Sequence, residues 1–234
     1  MSLDRKAQLA GNLAAVNTRI DQACVAAGRD RAGVRLIVVT KTFPASDLQL
    51  LATLGVRDFG ENRDQEAKAK WAACAQLPVS WHLVGQLQRN KVNSVLKWAD
   101  VVQTVDRLEL AVALDSAAER LGRRLCVLVQ VALDIPVQSA RGGCGPAGAL
   151  ALAEKVLELS HLDLCGVMGV APVQGEPAAA FNRLAEVSRA IQGLAPWADQ
   201  ISAGMSGDLE AAIVNGATQV RIGGAVLGNR PALP

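Results

Sequence analysis

The stretch Val34-Arg35-Leu36-Ile37-Val38-Val39-Thr40-Lys41 is a continuous apolar and β-branched run that ends on an amine. Apolar residues without polar alternation predict a strand covered on both faces, the habit of parallel sheets. Such a strand opens into a loop at its carboxyl end, which is where Lys41 falls. A lysine at the mouth of an apolar pocket loses solvation, its pKa falls, and the neutral amine condenses with an aldehyde or ketone to give a Schiff base. The competing reading is an ordinary solvated lysine at a strand end.

The rest of the chain repeats this unit. Upstream, Leu9, Leu13, Val16, Ile20 and Ala23 paint one apolar stripe on a helix that Gly28 ends. Downstream, expected strands at 34–40, 56–60, 79–85, 101–105, 125–133, 162–170, 200–203 and 219–223 alternate with expected helices at 46–54, 64–75, 88–98, 107–121, 147–159, 177–194 and 208–215. Ser46 is the expected N-cap of the first of these helices and Gly55 its stop. Alternation of this kind implies right-handed crossovers and a parallel sheet, and eight strands suggest closure. The fold expected is an α/β (β/α)8 TIM-type barrel with an extra N-terminal helix, in one domain over 1–234, with 1–28 packing on the barrel. An open doubly wound sheet is the alternative, disfavoured because no strand precedes G-x-G-x-x-G.

Composition narrows the partners. The 234 residues carry a formal charge of only +2, with scattered basic residues and no aromatic interleaving, so nucleic acid is not an expected partner. Cys24, Cys74, Cys126, Cys144 and Cys165 are odd in number, widely spaced and without a C-x-x-C pair, and are read as buried free thiols in a reducing cytoplasm. No signal-type run opens the chain and no stretch reaches about 18 apolar residues, so a cytoplasmic protein off the membrane is expected. With the N-terminal stripe spent on the barrel, the expected state is a monomer.

Chemistry in such a barrel lies at the carboxyl ends of the strands. The residues there are Thr40-Lys41-Thr42, Gly60-Glu61-Asn62, His82 to Gly85, Gly204-Met205-Ser206 and Arg221-Ile222-Gly223-Gly224. The loops after strands seven and eight form the common phosphate site of barrel enzymes. Ser206 offers a hydroxyl there, and Gly223-Gly224 let the backbone approach an anion. Each also has an ordinary reading, Ser206 as the N-cap of a helix starting at Gly207 and the glycines as a turn. Arg221 lies in an apolar run and needs a partner, either Glu61 as an ion pair or an acceptor on a ligand. His82 is either a satisfied strand histidine or part of the site. A Schiff-base lysine, a phosphate cradle and an inward arginine would together accommodate pyridoxal 5'-phosphate: an aldehyde, a phosphate and a ring nitrogen.

The segments Val38-Val39-Thr40-Lys41-Thr42, Phe59-Gly60-Glu61-Asn62, Trp81-His82-Leu83-Val84-Gly85-Gln86-Leu87-Gln88-Arg89-Asn90-Lys91, Gly204-Met205-Ser206-Gly207-Asp208-Leu209-Glu210-Ala211-Ala212-Ile213 and Val220-Arg221-Ile222-Gly223 resemble the YggS family, the pyridoxal phosphate homeostasis proteins. The resemblance runs nearly end to end. It implies a barrel related to the N-terminal domain of alanine racemase, with pyridoxal 5'-phosphate as an internal aldimine on Lys41. It further implies that Ser206, Gly223 and Gly224 hold the phosphate, that Arg221 faces the pyridine nitrogen, and that Asn62, His82 and Met205 line the site. The chain departs from the family pattern at Arg63, where tyrosine is usual, and at Gly224, where threonine is usual. The second change removes a hydroxyl but keeps the backbone N–H, an expected weakening of about 1 kcal/mol.

A two-base racemase needs an acid and a base on opposite faces of the cofactor, and the related racemases pair a lysine with a tyrosine from a second domain. This sequence contains no tyrosine, and the chain has no expected second domain to exclude water. An arginine on the ring nitrogen will not readily give up a proton, which leaves a poor electron sink. The expected function is therefore intracellular homeostasis of the cofactor, by buffering it or delivering it to recipient enzymes. The alternatives are a weak amino-acid racemase or decarboxylase with Lys41 as its base, and a cofactor-free Schiff-base aldolase.

Overall fold

Strand β1 (Arg35–Val39) buries Ile37 and Val38 completely because it has a neighbour on each side and a layer on each face. It pairs in parallel with β2 (Asp58–Glu61) and with β8 (Gln219–Ile222). Between these, β3 (Ser80–Leu83), β4 (Val101–Val105), β5 (Leu125–Val131), β6 (Leu162–Gly169) and β7 (Gln200–Ser202) follow in chain order and close a parallel eight-stranded barrel. The structure, a computed structural model, describes residues 2–134 and 142–228. The remaining positions of the expected domain, 1, 135–141 and 229–234, lie outside the described residues.

Helices α1 (Ser2–Ala26), α2 (Ala45–Thr53), α3 (Asp64–Ala73), α4 (Val92–Val95), α5 (Leu108–Arg120), α6 (Pro146–Leu157), α7 (Pro177–Leu194), α8 (Leu209–Val214) and α9 (Gly224–Leu227) accompany the strands. The stripe of α1 is buried at Leu9, Leu13, Val16, Ile20 and Ala23, and the helix packs against α2, α8 and α9. Arg5 fixes it to Asp47 of α2, with Nη2 2.6 Å from Oδ2 and 3.0 Å from the Leu227 carbonyl. Among the described residues no helix is long and apolar enough to cross a membrane.

Three expectations are corrected. Helix α2 begins at Ala45 with Pro44 as its N-cap residue, not Ser46, because proline fixes φ at −74° and the chain turns helical at once behind it. The helix expected over 88–98 is a 3-10 turn, Arg89–Lys91, followed by the single α-turn of α4. Beyond it Lys97 and Trp98 bond three residues back, and the indole Nε1 of Trp98 reaches Asp64 Oδ1 at 3.0 Å. Finally, Cys126 and Cys165 are disulfide-bonded, not free. They sit on adjacent strands with Cα atoms 6.0 Å apart, and the register shift between β5 and β6 falls beside them. Cys24 and Cys74 are free and buried, while Cys144 is free and half-buried.

Candidate functional site

Lys41 follows β1 in a tight turn in which the Phe43 N–H bonds the Thr40 carbonyl at 3.1 Å. Thr42 adopts φ +69°, a left-handed conformation that a β-branched residue takes only when its surroundings enforce it. Those surroundings are explicit. The Thr42 N–H donates to Glu66 Oε2 at 3.0 Å. The Lys70 ammonium donates to the Thr40 carbonyl and to Glu61 Oε1, both at 2.7 Å, and the Thr40 hydroxyl donates to the same Glu61 oxygen. Thr40 and Glu61 are wholly buried and Lys70 nearly so. Both neighbours of Lys41 are thus pinned by α3 and β2, so its backbone is fixed before any ligand arrives. Burial pushes the Glu61 carboxyl above the usual range, against Lys70 and Thr40, which pull it down.

Arg221 points inward from β8 and is 5% exposed. Its Nη1 donates to Ser202 Oγ at 2.6 Å and its Nη2 to the Gly169 carbonyl at 2.9 Å. The ion pair with Glu61 that the sequence left open does not form: Arg221 is bonded to Ser202 and Gly169, and Glu61 pairs through Oε1 with Lys70. Burial lowers the guanidinium pKa to about 10, a cost that Asp208 partly offsets, and the group stays cationic at neutral pH.

Lys41 and Arg221 meet in a cavity of about 390 Å³ at the carboxyl end of the barrel. Asn62, Met205, Ser206, Gly223 and Gly224 line it as well, with Val39, Val84, Val170 and Gly207. Seven of the expected site residues therefore converge on one cavity. The eighth, His82, does not line it. It lies buried in the barrel interior, its ring nitrogens bonded to Asp58 and Gln103, which is the satisfied strand histidine of the alternative reading. Arg63 faces solvent at the start of α3 and pairs loosely with Glu66 at 3.5 Å. A second cavity, about 410 Å³, adjoins the first through Asn62 and is lined by Arg63, Gln86, Gln88 and Lys91 among others.

The chemistry of the lining can be tested against a phosphorylated aldehyde. Gly204, at φ +90° with room for no Cβ against Ala212, turns the chain so that Met205 and Ser206 reach the cavity. A Cβ on Gly223 would stand 3.1 Å from the Val39 carbonyl, so this backbone stays bare beside the cavity. Ser206 does not cap α8, whose N-cap residue is Asp208, and it lines the cavity. At Gly224, by contrast, a Cβ would meet nothing within 4 Å, so the missing hydroxyl there is not a steric necessity. A hydroxyl, bare glycine backbone, an amine and a cation fit a phosphate, an aldehyde and a ring nitrogen.

Residues 11–231 match the family model of the alanine racemase N-terminal domain. The chain is 41% identical to the pyridoxal phosphate homeostasis protein of Mycobacterium tuberculosis, over 97% of this chain and 95% of that one. The chain belongs to the pyridoxal phosphate homeostasis protein family. A relative of the same name from Pseudomonas aeruginosa is also 41% identical, over 95% of this chain and 96% of its own. Among solved structures, PipY of Synechococcus elongatus with pyridoxal phosphate bound superposes with a TM-score of 0.82 at 33% identity, covering 94% of this chain and all of that one. An alanine racemase from Clostridium difficile superposes at 0.77 with 18% identity, over 98% of this chain and 58% of its own, which shows a shared fold.

Sequence reasoning missed the groups behind the site. Glu66 and Lys70 read as an ordinary helix face, and their aim at the Lys41 turn depends on the angle at which α3 packs. Gln103, Ser202 and Gln219 did leave a signal, each being a polar residue inside a strand run.

Proposed function

We propose that this protein binds pyridoxal 5'-phosphate in the Lys41 cavity, attaches it covalently through the Lys41 amine, and serves to hold and release the cofactor. The observation that carries the reading is the convergence of Lys41, Arg221, Ser206, Gly223 and Gly224 on one cavity. The cofactor supplies an aldehyde that condenses with an amine, with loss of water, and a ring that can withdraw electrons. Lys41 is held for the first of these by its pinned turn. Ser206 and the glycine backbone take the phosphate. Arg221 donates to the ring nitrogen and retains its own proton, which limits electron withdrawal.

Proton traffic at a substrate needs a second acid or base. Among the described residues lining the cavity, Lys41 is the only group able to serve as one, for no carboxyl, imidazole, thiol or phenol joins it. The donor set therefore favours retention over turnover. Recipient enzymes that draw on the held cofactor belong to the same proposal.

Absorption spectra of the loaded protein before and after borohydride reduction, followed by peptide mapping, test the attachment. A reducible visible band, lost in Lys41→Ala, with the reduced adduct on Lys41, is expected. An adduct on another lysine overturns the site. Rapid exchange of amino-acid α-protons in heavy water would overturn the holding role.

A further inference from the structure

The barrel interior is polar along one line. Arg221 Nη1 lies 2.6 Å from Ser202 Oγ, Ser202 Oγ 2.7 Å from Gln103 Oε1, Gln103 Nε2 3.1 Å from His82 Nδ1, and His82 Nε2 3.0 Å from Asp58 Oδ1. Ser202, Gln103 and His82 are at most 1% exposed. Interiors of such barrels are normally filled by branched apolar residues, and each polar group buried there is costly unless fully bonded.

The two ends fix the direction of the chain. A guanidinium only donates, so Ser202 accepts from Arg221 and its own hydrogen goes to Gln103 Oε1. The Gln103 amide nitrogen then faces both His82 Nδ1 and Gln219 Oε1, the latter at 3.0 Å, and an amide nitrogen only donates. His82 Nδ1 must therefore hold a lone pair, and Nε2 carries the hydrogen given to the Asp58 carboxylate. Running the chain backwards would set an imidazole lone pair against that carboxylate. Asp58 begins β2 at the opposite end of the barrel from Lys41, lines a separate cavity of about 320 Å³, and has Arg35 at 3.7 Å as its other charged neighbour.

We infer that Asp58 is a remote positioning residue for the cofactor site, acting through His82, Gln103 and Ser202 to fix how Arg221 presents its guanidinium. The inference rests on the reading that Arg221 faces the cofactor's ring nitrogen. Asp58 is the charged acceptor of the line, and together with Arg221 at the other end and Gln219 Oε1 beside the amide it sets the imidazole tautomer, the amide orientation and the lone pair offered to Arg221. The line adds four polarised bonds to the attraction of Asp208, which offsets part of the cost of burying Arg221.

Asp58→Asn and Ser202→Ala break the line at its two ends and test the inference together. Their double variant matters most, because links of one chain lose their effect once, whereas independent structural residues add. Each single variant is expected to weaken pyridoxal 5'-phosphate binding about five-fold, the value of one hydrogen bond, and to shift the visible band of the loaded protein. The double variant is expected to bind no worse than the weaker single. Additive losses, or an Asp58→Asn protein with unchanged affinity and band, overturn the inference. Long-range nitrogen NMR of the unloaded protein gives a second readout, made simple by a chain with only two histidines. His82 is expected as the Nε2–H tautomer in the wild type and to lose that state in Asp58→Asn. A wild-type His82 protonated on Nδ1 refutes the chain whatever the cofactor does. Borohydride mapping that misses Lys41 would instead condemn the cofactor site, with the NMR result still judging the relay.

Discussion

Replacing Lys70 by methionine removes the ammonium that stands behind Lys41 while keeping most of the side chain's apolar volume. The change deletes two charge-assisted bonds of 2.7 Å, to the Thr40 carbonyl and to Glu61 Oε1, and leaves a wholly buried carboxylate with only the Thr40 hydroxyl. Removing one partner of a buried ion pair costs about 3–5 kcal/mol, because the stranded charge has nothing to repay its desolvation. At about 2–4 °C per kcal/mol for a chain of this size, melting should fall by about 6–20 °C. The loss should also depend on pH. Burial already raises the Glu61 carboxyl, and Lys70 is the largest influence lowering it, so the variant's folded-state value climbs further. A carboxyl raised on folding contributes stability that is complete below its unfolded value and is lost as pH rises through its folded value. Lys70→Met should therefore be closer to wild type at pH 5 than at pH 8, where Glu61 must ionise without its partner. Adding Glu61→Gln should remove most of that pH dependence. Calorimetry at both pH values checks this. A drop below about 3 °C, or the same drop at both pH values, would refute the account of a pinned Lys41 turn.

Gly224→Thr should tighten pyridoxal 5'-phosphate binding about five-fold by equilibrium titration, since a Cβ there meets nothing within 4 Å and one neutral hydrogen bond is gained. Gly85→Ala should do the reverse, because its Cβ would fall 2.3 Å from the Asn62 carbonyl and push that wall of the cavity aside; overpacking of this kind costs about 1–3 kcal/mol in melting experiments. Burial pushes the Cys144 thiol up to about 11, so its alkylation rate, followed by mass spectrometry, should keep rising beyond pH 9 rather than levelling there. Glu210→Gln should cost at most about 1 kcal/mol, because its pair with Arg19 is solvent-exposed. Arg19 holds the Glu210 carboxyl low, so the wild-type advantage should vanish as pH falls through that lowered value.

The barrel was legible because its evidence is one-dimensional. A strand covered on both faces must be apolar at every position, and Leu36-Ile37-Val38-Val39 is; a helix on its surface needs one stripe, and α1 carries it from Leu9 to Ala23. The rim was legible for the same reason, since Lys41, Arg221 and Ser206 lie at strand ends that closure must bring together. What stayed hidden depends on angles and registers that no local pattern encodes. Cys126 and Cys165 are 39 residues apart and meet only because a bulge aligns β6 on β5. Lys70 and Glu66 aim at the Lys41 turn because of how α3 crosses β2. The family resemblance puts His82 at the rim, yet its neighbours Asp58 and Gln103 draw it into the interior. A tightly wound helix over 88–98 fits the apolar spacing of Val92, Val95 and Leu96, but the indole bond to Asp64 accompanies a loosened last turn.

The polar line through the barrel and the pinned turn beside it bear on the same question from two sides. On the proposed function, a protein that stores a reactive aldehyde must bind it covalently, reversibly and without using it. Reversibility asks that the amine be placed but not buried, and the turn places it through backbone anchors at Thr40 and Thr42, with Lys41 on the cavity lining. Restraint asks that the ring nitrogen meet a donor that keeps its proton. An arginine meets that demand only if its charge is tolerated inside the barrel, and burial alone would work against it. Asp208 offsets part of that cost, and the bonds running from Arg221 towards Asp58 satisfy the guanidinium inside the barrel with neutral groups, none of which can act as a base on anything bound to Lys41. A carboxylate moved next to the ring nitrogen, as in Arg221→Glu, should therefore change the chemistry and not merely the affinity: α-proton exchange from added amino acids should rise above the wild-type rate in heavy water, and no rise would show that restraint resides elsewhere.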